Sequence, residues 1–583
     1  MKFFRRCILI LVSIFTFGLM NGIAGGAIST VTLPTMSPEF SSGTSNYTFD
    51  CGSKRRLTIA SDNAGEISGL KLSPGKYELD IEAMPGQSIE WKIAGQSFRA
   101  RCLPADFPRL TVDRPGQSAV DYFFTAPNLT FDPTTEVPNY LMVLDKNGVP
   151  VWWKSAPKAI DFKLLPDANL AYVSASGIYH IGGFDGVDVK TVPANGSTVS
   201  EVDVHDLQVI PSGGYVGIRY VPADCPSVPA DCVDLSGFGG SATANPVWGE
   251  IQFFDANGFP TDSWSTKDRI RIPEEETLFI APADVIHMNS VEPDGNGVVF
   301  SARSLGAVYR VDLSDGSVSW KLGGTRTAES LTVVGDPHAS RSFGGQHDAR
   351  VVSRNGHELL LSVSDNGTAR DRPPRVALYR IDELARTATL AEAYSSATVP
   401  ISLCCGSARL TENGHWVAGW GAASMFSELD STGNAVLNVG FPDKVFSYRT
   451  VPVQLSDYPL HDVTALINSG METMYGSPVV RLRSPWTIPL LTAISTPLSL
   501  IIDSAPARTT RRKFAVIKFS APSGTTTICQ VDHKKMTRCK SPLIQRNLVR
   551  GRHIVTIFAI SGGGIVSRTV AWTVLSRSRS RHL

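Results

Sequence analysis

Short runs of alternating hydrophobic and polar residues dominate the chain after its first 45 residues. Residues 45–127 alternate in stretches such as LKLSPGKYELDIEAM and SIEWKIAG, which Gly, Pro and Asn separate. A period of two, broken by turns about every 8 to 12 residues, is typical of antiparallel strands. A small N-terminal β-sandwich is therefore predicted, with bounds 28–130.

Two kinds of element then alternate from Asn139 to about Pro452. One is an apolar strand closed by an Asp-containing turn, as in YLMVLDKNGVPVWW; the other is a strand, a polar turn and a second strand, as in NSVEPDGNGVVFSA. Five such hairpin pairs begin near residues 161, 206, 287, 348 and 407. A recurring supersecondary unit that cannot bury both its faces alone indicates stacked hairpins.

The repeat predicts a closed ring of blades. A strand pair at 139–153 is expected to combine with SYRTVPV at 447–453, which gives a six-bladed β-propeller over 131–460. Irregular spacing between residues 220 and 280 leaves five or seven blades open. In a propeller the innermost strands present their starts to a funnel on the axis.

The C-terminal part predicts a further β domain. A Pro-rich linker is expected over 461–506, followed by strands such as FAVIKFSAP and HIVTIFAIS, which predict an Ig-like sandwich over 507–576. The basic RSRSRHL at 577–583 is expected to be a frayed tail. The predicted fold class is thus all-β, with a propeller flanked by two sandwiches.

Composition and the N-terminus bear on location and partners. With 42% hydrophobic and 19% charged residues the chain is expected to be globular, and a net charge of +1 gives no reason to expect nucleic acid as a partner. Basic residues at 2, 5 and 6, an apolar run to Met20 and small residues at 25–27 predict a signal peptide over 1–27. No later segment is apolar for long enough to predict a membrane span, so a secreted, periplasmic or cell-surface protein is expected.

Eight cysteines remain after the signal peptide, an even number that predicts disulfides in an oxidising compartment. Spacing suggests three local pairs and leaves two adjacent cysteines for each other, although spacing alone does not prove connectivity. The expected pairs are Cys51–Cys102, Cys225–Cys232, Cys529–Cys539 and Cys404–Cys405.

Three histidines occupy the same place in the repeat. His205, His287 and His347 are each expected immediately before the first strand of a hairpin, and Arg303 lies in a compatible position. Equivalent positions in a propeller point at the axis, so these side chains are expected to converge. Asp206 and Asp348 each follow a histidine directly and should point the other way, as groups that pack the blades.

These residues also carry a resemblance to a known family. The stretches PNYLMVLDKNGVPVWW, DVIHMNSVEPDGNGVVFSARSLGAVYRVDLSDGSVSWKLGG, FGGQHDARVV and SDNG resemble the bacterial arylsulfotransferases over about residues 130–460. The resemblance implies a six-bladed propeller preceded by a β-sandwich. It also implies ping-pong transfer of a sulfuryl group between a phenolic sulfate and a phenol through a sulfated histidine, without a nucleotide donor or other cofactor.

The resemblance assigns roles residue by residue. His347 in GGQHDAR matches the nucleophile and His205 in VDVHD the acid/base histidine, while His287, Asn289 and Arg303 match the groups that hold the sulfate. The expected partners are small phenolic sulfates and phenols, not nucleic acid. Association as a homodimer stays open.

Two other classes of function remain open. Three converging histidines could bind zinc in a hydrolase or lyase, although Arg303 would repel a dication. A propeller between two sandwiches would also suit a non-catalytic secreted binding or adhesion protein, since fold does not fix function.

Overall fold

The structure is a computed structural model. It describes residues 30–61, 63–238, 240–272, 284–482, 500–523, 525–532, 537–561 and 564–575. The predicted signal peptide over 1–27 and the basic tail over 577–583 lie outside these residues.

The described part of the chain is all-β, which confirms the predicted fold class. It contains strands throughout and a single α-helix. The chain divides into two compact units, residues 1–484 and residues 485–583.

The first strands of the chain form two sheets around one apolar core. The sheet orders are β2-β8-β7-β4-β5 and β1-β3-β6, and residues such as Trp91, Tyr47 and Ile59 are buried between them. The strands are β1 Thr30–Thr32, β2 Asn46–Asp50, β3 Gly52–Ser61, β4 Gly65–Ile67, β5 Leu70–Leu72, β6 Gly75–Ala83, β7 Ser88–Ile93, β8 Gln96–Leu103 and β9 Thr111–Asp113.

The middle of the chain is a succession of short strands, as the repeat predicts. They are β10 Tyr122–Thr125, β11 Tyr140–Asp145, β12 Pro150–Ser155, β13 Ile160–Leu164, β14 Leu170–Val173, β15 Tyr179–Gly182, β16 Asp188–Val192, β17 Leu207–Val209, β18 Tyr215–Pro222, β19 Val247–Phe254, β20 Pro260–Ser265, β21 Met288–Asp294, β22 Gly297–Ala302, β23 Ala307–Asp312, β24 Val318–Gly323, β25 Thr332–Val334, β26 His347–Asn355, β27 Glu358–Asp365, β28 Arg375–Asp382, β29 Thr387–Tyr394, β30 Ser407–Leu410, β31 Trp416–Gly419, β32 Met425–Leu429, β33 Ala435–Gly440 and β34 Thr450–Val453.

These strands form six sheets within the described residues, each built around antiparallel neighbours. Their orders are β34-β10-β11-β12, β13-β14-β15-β16, β17-β18-β19-β20, β21-β22-β23-β24, β26-β27-β28-β29-β25 and β30-β31-β32-β33-β9. The first sheet joins β34, the last strand of the series, to β10, with Thr450 opposite Thr125. The strands near 139–153 and near 447–453 therefore belong to one sheet, as predicted, but β10 lies between them.

The Asp-containing turns of the repeat have a common local structure. The Asp145 carboxylate accepts hydrogen bonds from the N–H groups of Asn147 and Val149. Asp255 and Asp430 do the same for the residues two and four positions later. An aspartate that caps its own turn in this way favours a tight reversal between strands.

The six edge strands β34, β13, β17, β21, β26 and β30 contact one another; we call them the leading strands. Lys163 of β13 donates to the carbonyl of Leu207 at 2.8 Å, and the Ala349 N–H of β26 donates to Ser290 of β21 at 3.0 Å. Ser407 of β30 donates to the carbonyl of Thr450 at 2.9 Å. Residues at the starts of different leading strands are thereby brought together.

The segment predicted as a linker contains a helix. α1 spans Val463–Tyr475 and buries Val463 and Ile467. Asp462 caps its N-terminus, and the Asp462 side chain accepts a hydrogen bond from the Ala465 N–H. A strand, β35 Val479–Leu482, follows and pairs with β6. Apolar residues four apart could have predicted this helix, because they lie on one face.

The second compact unit also consists of strands. Its sheets have the orders β36-β38-β41 and β37-β43-β42-β39-β40, and buried Trp572 and Ile557 belong to its core. The strands are β36 Ile501–Ser504, β37 Thr509–Thr510, β38 Ala515–Ser520, β39 Thr526–Val531, β40 Thr537–Arg538, β41 Leu543–Gln545, β42 Gly551–Ser561 and β43 Gly564–Val574.

All four predicted disulfides are present: Cys51–Cys102, Cys225–Cys232, Cys404–Cys405 and Cys529–Cys539. Four disulfides fit an extracytoplasmic protein, because oxidising compartments preserve them. Among the described helices, none has the length and apolar character needed to cross a membrane.

Candidate functional site

The three predicted histidines meet at the starts of three leading strands. His205 and His287 lie just before β17 and β21, and His347 opens β26. The ring centroids of His205 and His287 are 4.9 Å apart, and the rings are nearly perpendicular. The centroid of the Tyr448 ring lies 5.4 Å from that of His205 and 6.2 Å from that of His347.

His205 and His287 each face a carboxylate through Nδ1. The partner of His205 is Asp203, and His287 Nδ1 lies 2.5 Å from Asp284 Oδ2. Each aspartate also accepts the backbone N–H of its histidine. The carboxylates thus fix the orientation of both rings and leave Nε2 to face elsewhere.

His347 is held differently, by neutral groups. Its Nδ1 lies 2.9 Å from the Gly345 carbonyl oxygen and 2.9 Å from Asn366 Oδ1. On the other side of the ring, the Cys405 N–H donates to Nε2 at 3.2 Å. Because a carbonyl only accepts and a backbone N–H only donates, Nδ1 carries the hydrogen and Nε2 carries the lone pair.

The electrostatic surroundings keep His347 neutral. Only 2% of the residue is exposed. Burial holds the pKa of His347 well below its usual value of 6.5, and the nearby charge of Arg303 lowers it further. Burial also lowers the pKa of His287, although the hydrogen bond that its ring donates to Asp284 opposes this. A neutral imidazole with an available lone pair is a competent nucleophile near pH 7.

Arg303 supplies positive charge beside the histidines. It follows β22, and its N–H donates to the His287 carbonyl at 2.9 Å, so the hairpin of β21 and β22 places the two residues together. One terminal nitrogen donates to the Leu403 carbonyl at 3.2 Å, and Nε is buried without a partner among the described residues. In that part of the chain no carboxylate forms an ion pair with Arg303; burial lowers its pKa, and the charge of Asp284 opposes this. A buried guanidinium without an ion pair suits an anionic ligand.

Asn289 is buried and belongs to the wall of the site. Its Nδ2 donates to the Gln346 carbonyl at 2.7 Å. Its own carbonyl accepts hydrogen bonds from the Tyr448 hydroxyl and from Arg449. One N–H of Nδ2 therefore holds Gln346, the residue directly before His347, and Nδ2 carries a second N–H. The side-chain oxygen Oδ1 is buried without a partner among the described residues.

Sequence reasoning missed several residues of this site. Asp203 and Asp284 lie two and three positions before their histidines, so the D-x-H and D-x-x-H patterns were readable. Tyr220 packs edge-on against His205, and burial raises the pKa of both Tyr220 and Tyr448 well above 10. Tyr448 and Cys405 come from distant parts of the sequence, and no local pattern points to them. Asn366 lies in the stretch SDNG that carries the family resemblance, but no role was assigned to it there.

The carboxylates next to two of the histidines do pack the strands, as predicted. Asp206 accepts hydrogen bonds from Arg350, Lys163 and the Val291 N–H. Asp348 accepts from Arg350 and Arg409. Both are fully buried and neither bonds the histidine before it.

A group of side chains that could share a metal ion occurs elsewhere. Within the described residues, His357, Glu358 and Asp382 bring their ligand atoms within 4.8 Å of one another, with two of the three exposed. This group follows the C-terminal end of β26, whereas His347 lies at the N-terminal end of that strand. Exposed acidic groups of this kind occur without an ion.

The sheets and the site together describe an all-β protein with a buried centre of histidines and an unneutralised arginine, which suits group transfer to or from an anion. Comparison with known families supports the same class. Residues 234–442 match the family model described as Arylsulfotransferase (ASST), so the resemblance found in the sequence is confirmed over this segment. The segment includes His287, Arg303 and His347, whereas His205 precedes it. The family implies sulfotransferase activity in general and small phenolic substrates.

Other comparisons are more distant. No curated protein matches the chain. Similar solved structures include a protein of unknown function from Bacteroides caccae, with 8% identity, a TM-score of 0.35 and coverage of 58% of this chain and 100% of that one. AztD from Citrobacter koseri has 9% identity, a TM-score of 0.28 and coverage of 57% and 98%. With TM-scores this low, neither structure carries an argument about this chain.

Proposed function

We propose that this protein is a nucleotide-independent arylsulfotransferase, which moves a sulfuryl group from a phenolic sulfate ester to a phenolic acceptor through a sulfated His347. The observation that carries the proposal is the meeting of three histidines with a buried Arg303 that has no carboxylate partner among the described residues. The family match over 234–442 supports the same reaction.

In the first half of the reaction, the lone pair on His347 Nε2 forms a bond to sulfur. The bond between sulfur and the phenolic oxygen breaks, and its electron pair leaves with that oxygen. The oxygen takes a proton from the protonated His205 ring, which Asp203 stabilises. In the second half the acceptor phenol gives its proton to His205, its oxygen attacks sulfur, and the bond to Nε2 breaks.

The remaining groups stabilise the negative charge on the sulfuryl oxygens. A sulfuryl group in transfer resembles a phosphoryl group, with a loose transition state and charge spread over three oxygens, so placed donors do most of the work. Arg303 offers free N–H groups, and Asn289 offers its second amide N–H. The anion would favour protonation of His287, whose Nδ1 already faces Asp284, and Nε2 would then donate as well.

We further propose that the six sheets are the blades of a closed six-bladed β-propeller, which adds β9 and β10 to the predicted range 131–460. The contacts among the leading strands and the sheet shared by β34 and β10 support this closure. The flanking β-sandwich, predicted over 28–130 and now without β9 and β10, and the Ig-like domain over 507–576 belong to the same proposal. A signal peptide over 1–27 would direct the protein out of the cytoplasm, and homodimer formation stays a prediction.

The test is to trap the intermediate. The protein is mixed with a nitrophenyl sulfate in the absence of acceptor, and the peptide that contains His347 is analysed by mass. We expect a gain of one sulfuryl group, release of nitrophenol, and loss of both in His347→Ala, which should transfer at least about 10³-fold more slowly. His357→Ala, in an exposed turn, is the matched control and should behave as wild type.

Transfer by His347→Ala at the wild-type rate would contradict the proposed mechanism. A wild-type protein that binds aryl sulfates without releasing nitrophenol would instead favour a binding protein. Loss of activity together with removal of stoichiometric zinc by a chelator would favour the metal hydrolase or lyase.

A further inference from the structure

The adjacent cysteines 404 and 405 lie in a loop that touches His347. This loop, Ser402–Gly406, which we call the cystine loop, carries the Cys404–Cys405 disulfide. The disulfide closes a small covalent ring around the peptide bond between the two residues. The N–H of that same peptide donates to His347 Nε2 at 3.2 Å.

The peptide is also fixed from its other side. The Cys404 carbonyl accepts a hydrogen bond from the Ala422 N–H at 3.2 Å. Cys405 is buried and has a φ of 66°, in the left-handed region that few residues other than glycine adopt. The N–H that meets Nε2 therefore belongs to a peptide with little freedom to turn.

Asn366 closes a ring of contacts around the imidazole. Its Oδ1 lies 2.9 Å from His347 Nδ1, and its Nδ2 donates to the Cys405 carbonyl at 3.0 Å. The same Nδ2 donates to the Ser402 hydroxyl at 2.9 Å. One amide side chain thus ties one edge of the His347 ring to the loop that holds the opposite edge.

The cystine loop also reaches the anion-binding side of the site. The Leu403 carbonyl accepts from Arg303 at 3.2 Å and lies 3.4 Å from the Thr368 hydroxyl. The loop therefore contacts both groups that the reaction needs near sulfur, the nucleophile and the guanidinium. Displacement of the loop would move both.

We propose that the Cys404–Cys405 disulfide, with Asn366, positions the nucleophile. The disulfide fixes the peptide N–H that donates to His347 Nε2. When Nε2 bonds to sulfur, the same N–H donates to a sulfuryl oxygen instead. The inference rests on the proposed function. No atom is gained or lost at the loop, because the N–H only exchanges one acceptor for another while the phenolic oxygen leaves sulfur. The donor then stabilises the intermediate that it first helped to align.

The experiment compares Cys404→Ser/Cys405→Ser with the matched control Cys225→Ser/Cys232→Ser, which removes a disulfide of another loop. We expect kcat for transfer to fall by roughly ten- to hundredfold in the first variant, since small misplacements of reacting groups have effects of this size. KM should change little, and the control should keep the wild-type kcat. Wild-type kcat in the first variant would overturn the proposal.

A second readout needs no sulfate donor. Diethyl pyrocarbonate modifies the neutral form of an imidazole and not the protonated form, so the rate of modification of His347, followed on its peptide, reports how the ring is held and at what pH it titrates. In the wild type we expect slow modification whose rate varies little with pH. In Cys404→Ser/Cys405→Ser we expect modification to be several-fold faster, and its rate to fall in acid with a midpoint closer to pH 6.5. Identical profiles would count against positioning by the disulfide, even if transfer is not the natural activity.

Asn366→Leu provides the check if the double variant does not fold. It keeps the disulfide and removes the amide that joins the loop to the ring. Modification at His347 should become faster and kcat should fall, both by less than in the double variant because the Gly345 carbonyl still holds Nδ1. An unchanged modification rate and an unchanged kcat in a folded Asn366→Leu would also overturn the proposal.

Discussion

Neighbouring residues at the starts of two leading strands lie in opposite electrostatic surroundings. His347 lies near the charge of Arg303, which forms no ion pair among the described residues, and His205 contacts His287. Asp206 and Asp348 instead face a cluster of paired charges. One side of the strands thus leaves a cation available to a ligand, and the other neutralises its cations.

The paired side is centred on Arg449, which is fully buried. It donates to Asp161 at 2.6 Å and to Asp206 at 3.2 Å, and its Nε lies 3.0 Å from Asp348. These contacts connect residues at the starts of several leading strands. Buried charges are costly unless they are paired, so this cluster holds the strands together while the site leaves Arg303 for an anion.

The largest expected effect is on the paired side. Arg449→Met should lower the free energy of unfolding by about 3–5 kcal/mol, because it leaves Asp161 and Asp206 buried with too few cations. Urea unfolding followed by tryptophan fluorescence measures the change. Arg109→Met is the control, since Arg109 is exposed and its pair with Asp50 should contribute about 1 kcal/mol or less. Equal stability of the two variants would contradict the role given to Arg449.

On the site side, Arg303→Leu should affect transfer rather than stability. Loss of a donor to the transferring group should cost about 2.7–4 kcal/mol of transition-state stabilisation, or roughly 10²- to 10³-fold in kcat. Stability should change by no more than about 1 kcal/mol, because no ion pair is broken among the described residues. Steady-state kinetics with a nitrophenyl sulfate and urea unfolding measure the two effects.

Arg303→Lys sharpens that experiment. Lysine keeps the charge but lacks the planar fork of N–H groups, so an intermediate loss of kcat is expected. If Arg303→Leu lost stability to the same extent as Arg449→Met and retained full activity, the contrast between the two sides would be wrong.

The smallest expected effect is a difference in the pH at which each side loses its contribution to stability. The pKa of His347 lies well below 6.5 in the folded protein, so only the unfolded chain gains a proton as pH falls below about 6.5, and stability is lost. The nearby cations hold the pKa of Asp206 and Asp348 below the usual range, so their contribution persists above about pH 4 and is lost only in more acidic solution.

Between pH 6.5 and 5, wild-type stability should therefore fall by up to about 1.4 kcal/mol per pH unit for each buried neutral histidine. His347→Gln should show a shallower fall, and the remainder should come in part from His287, whose pKa is also lowered. Unfolding curves at matched pH values test this. Parallel slopes for the two proteins would show that His347 is not held neutral.

The repeat made part of the site predictable. His205, His287 and His347 stand in the same position of successive hairpins, and contact among the leading strands turned this shared position into proximity. Asp203 and Asp284 were overlooked although they lie within three residues of their histidines. Asn366 and Cys405 could not be found in this way, because they lie 19 and 58 residues from His347 and follow no spacing rule.

The sequence by itself determined the strands, their Asp-containing turns and the residue types at the strand starts, and its cysteine spacing suggested the disulfides that the structure contains. These features depend on alternation and on near neighbours, which a chain carries along its length. Only the tertiary structure decided that Arg303 would form no ion pair among the described residues while Arg449 would form three, and that a peptide N–H would face His347 Nε2. Desolvation and hydrogen bonding depend on distance in space, and that distance exists only after the strands have packed.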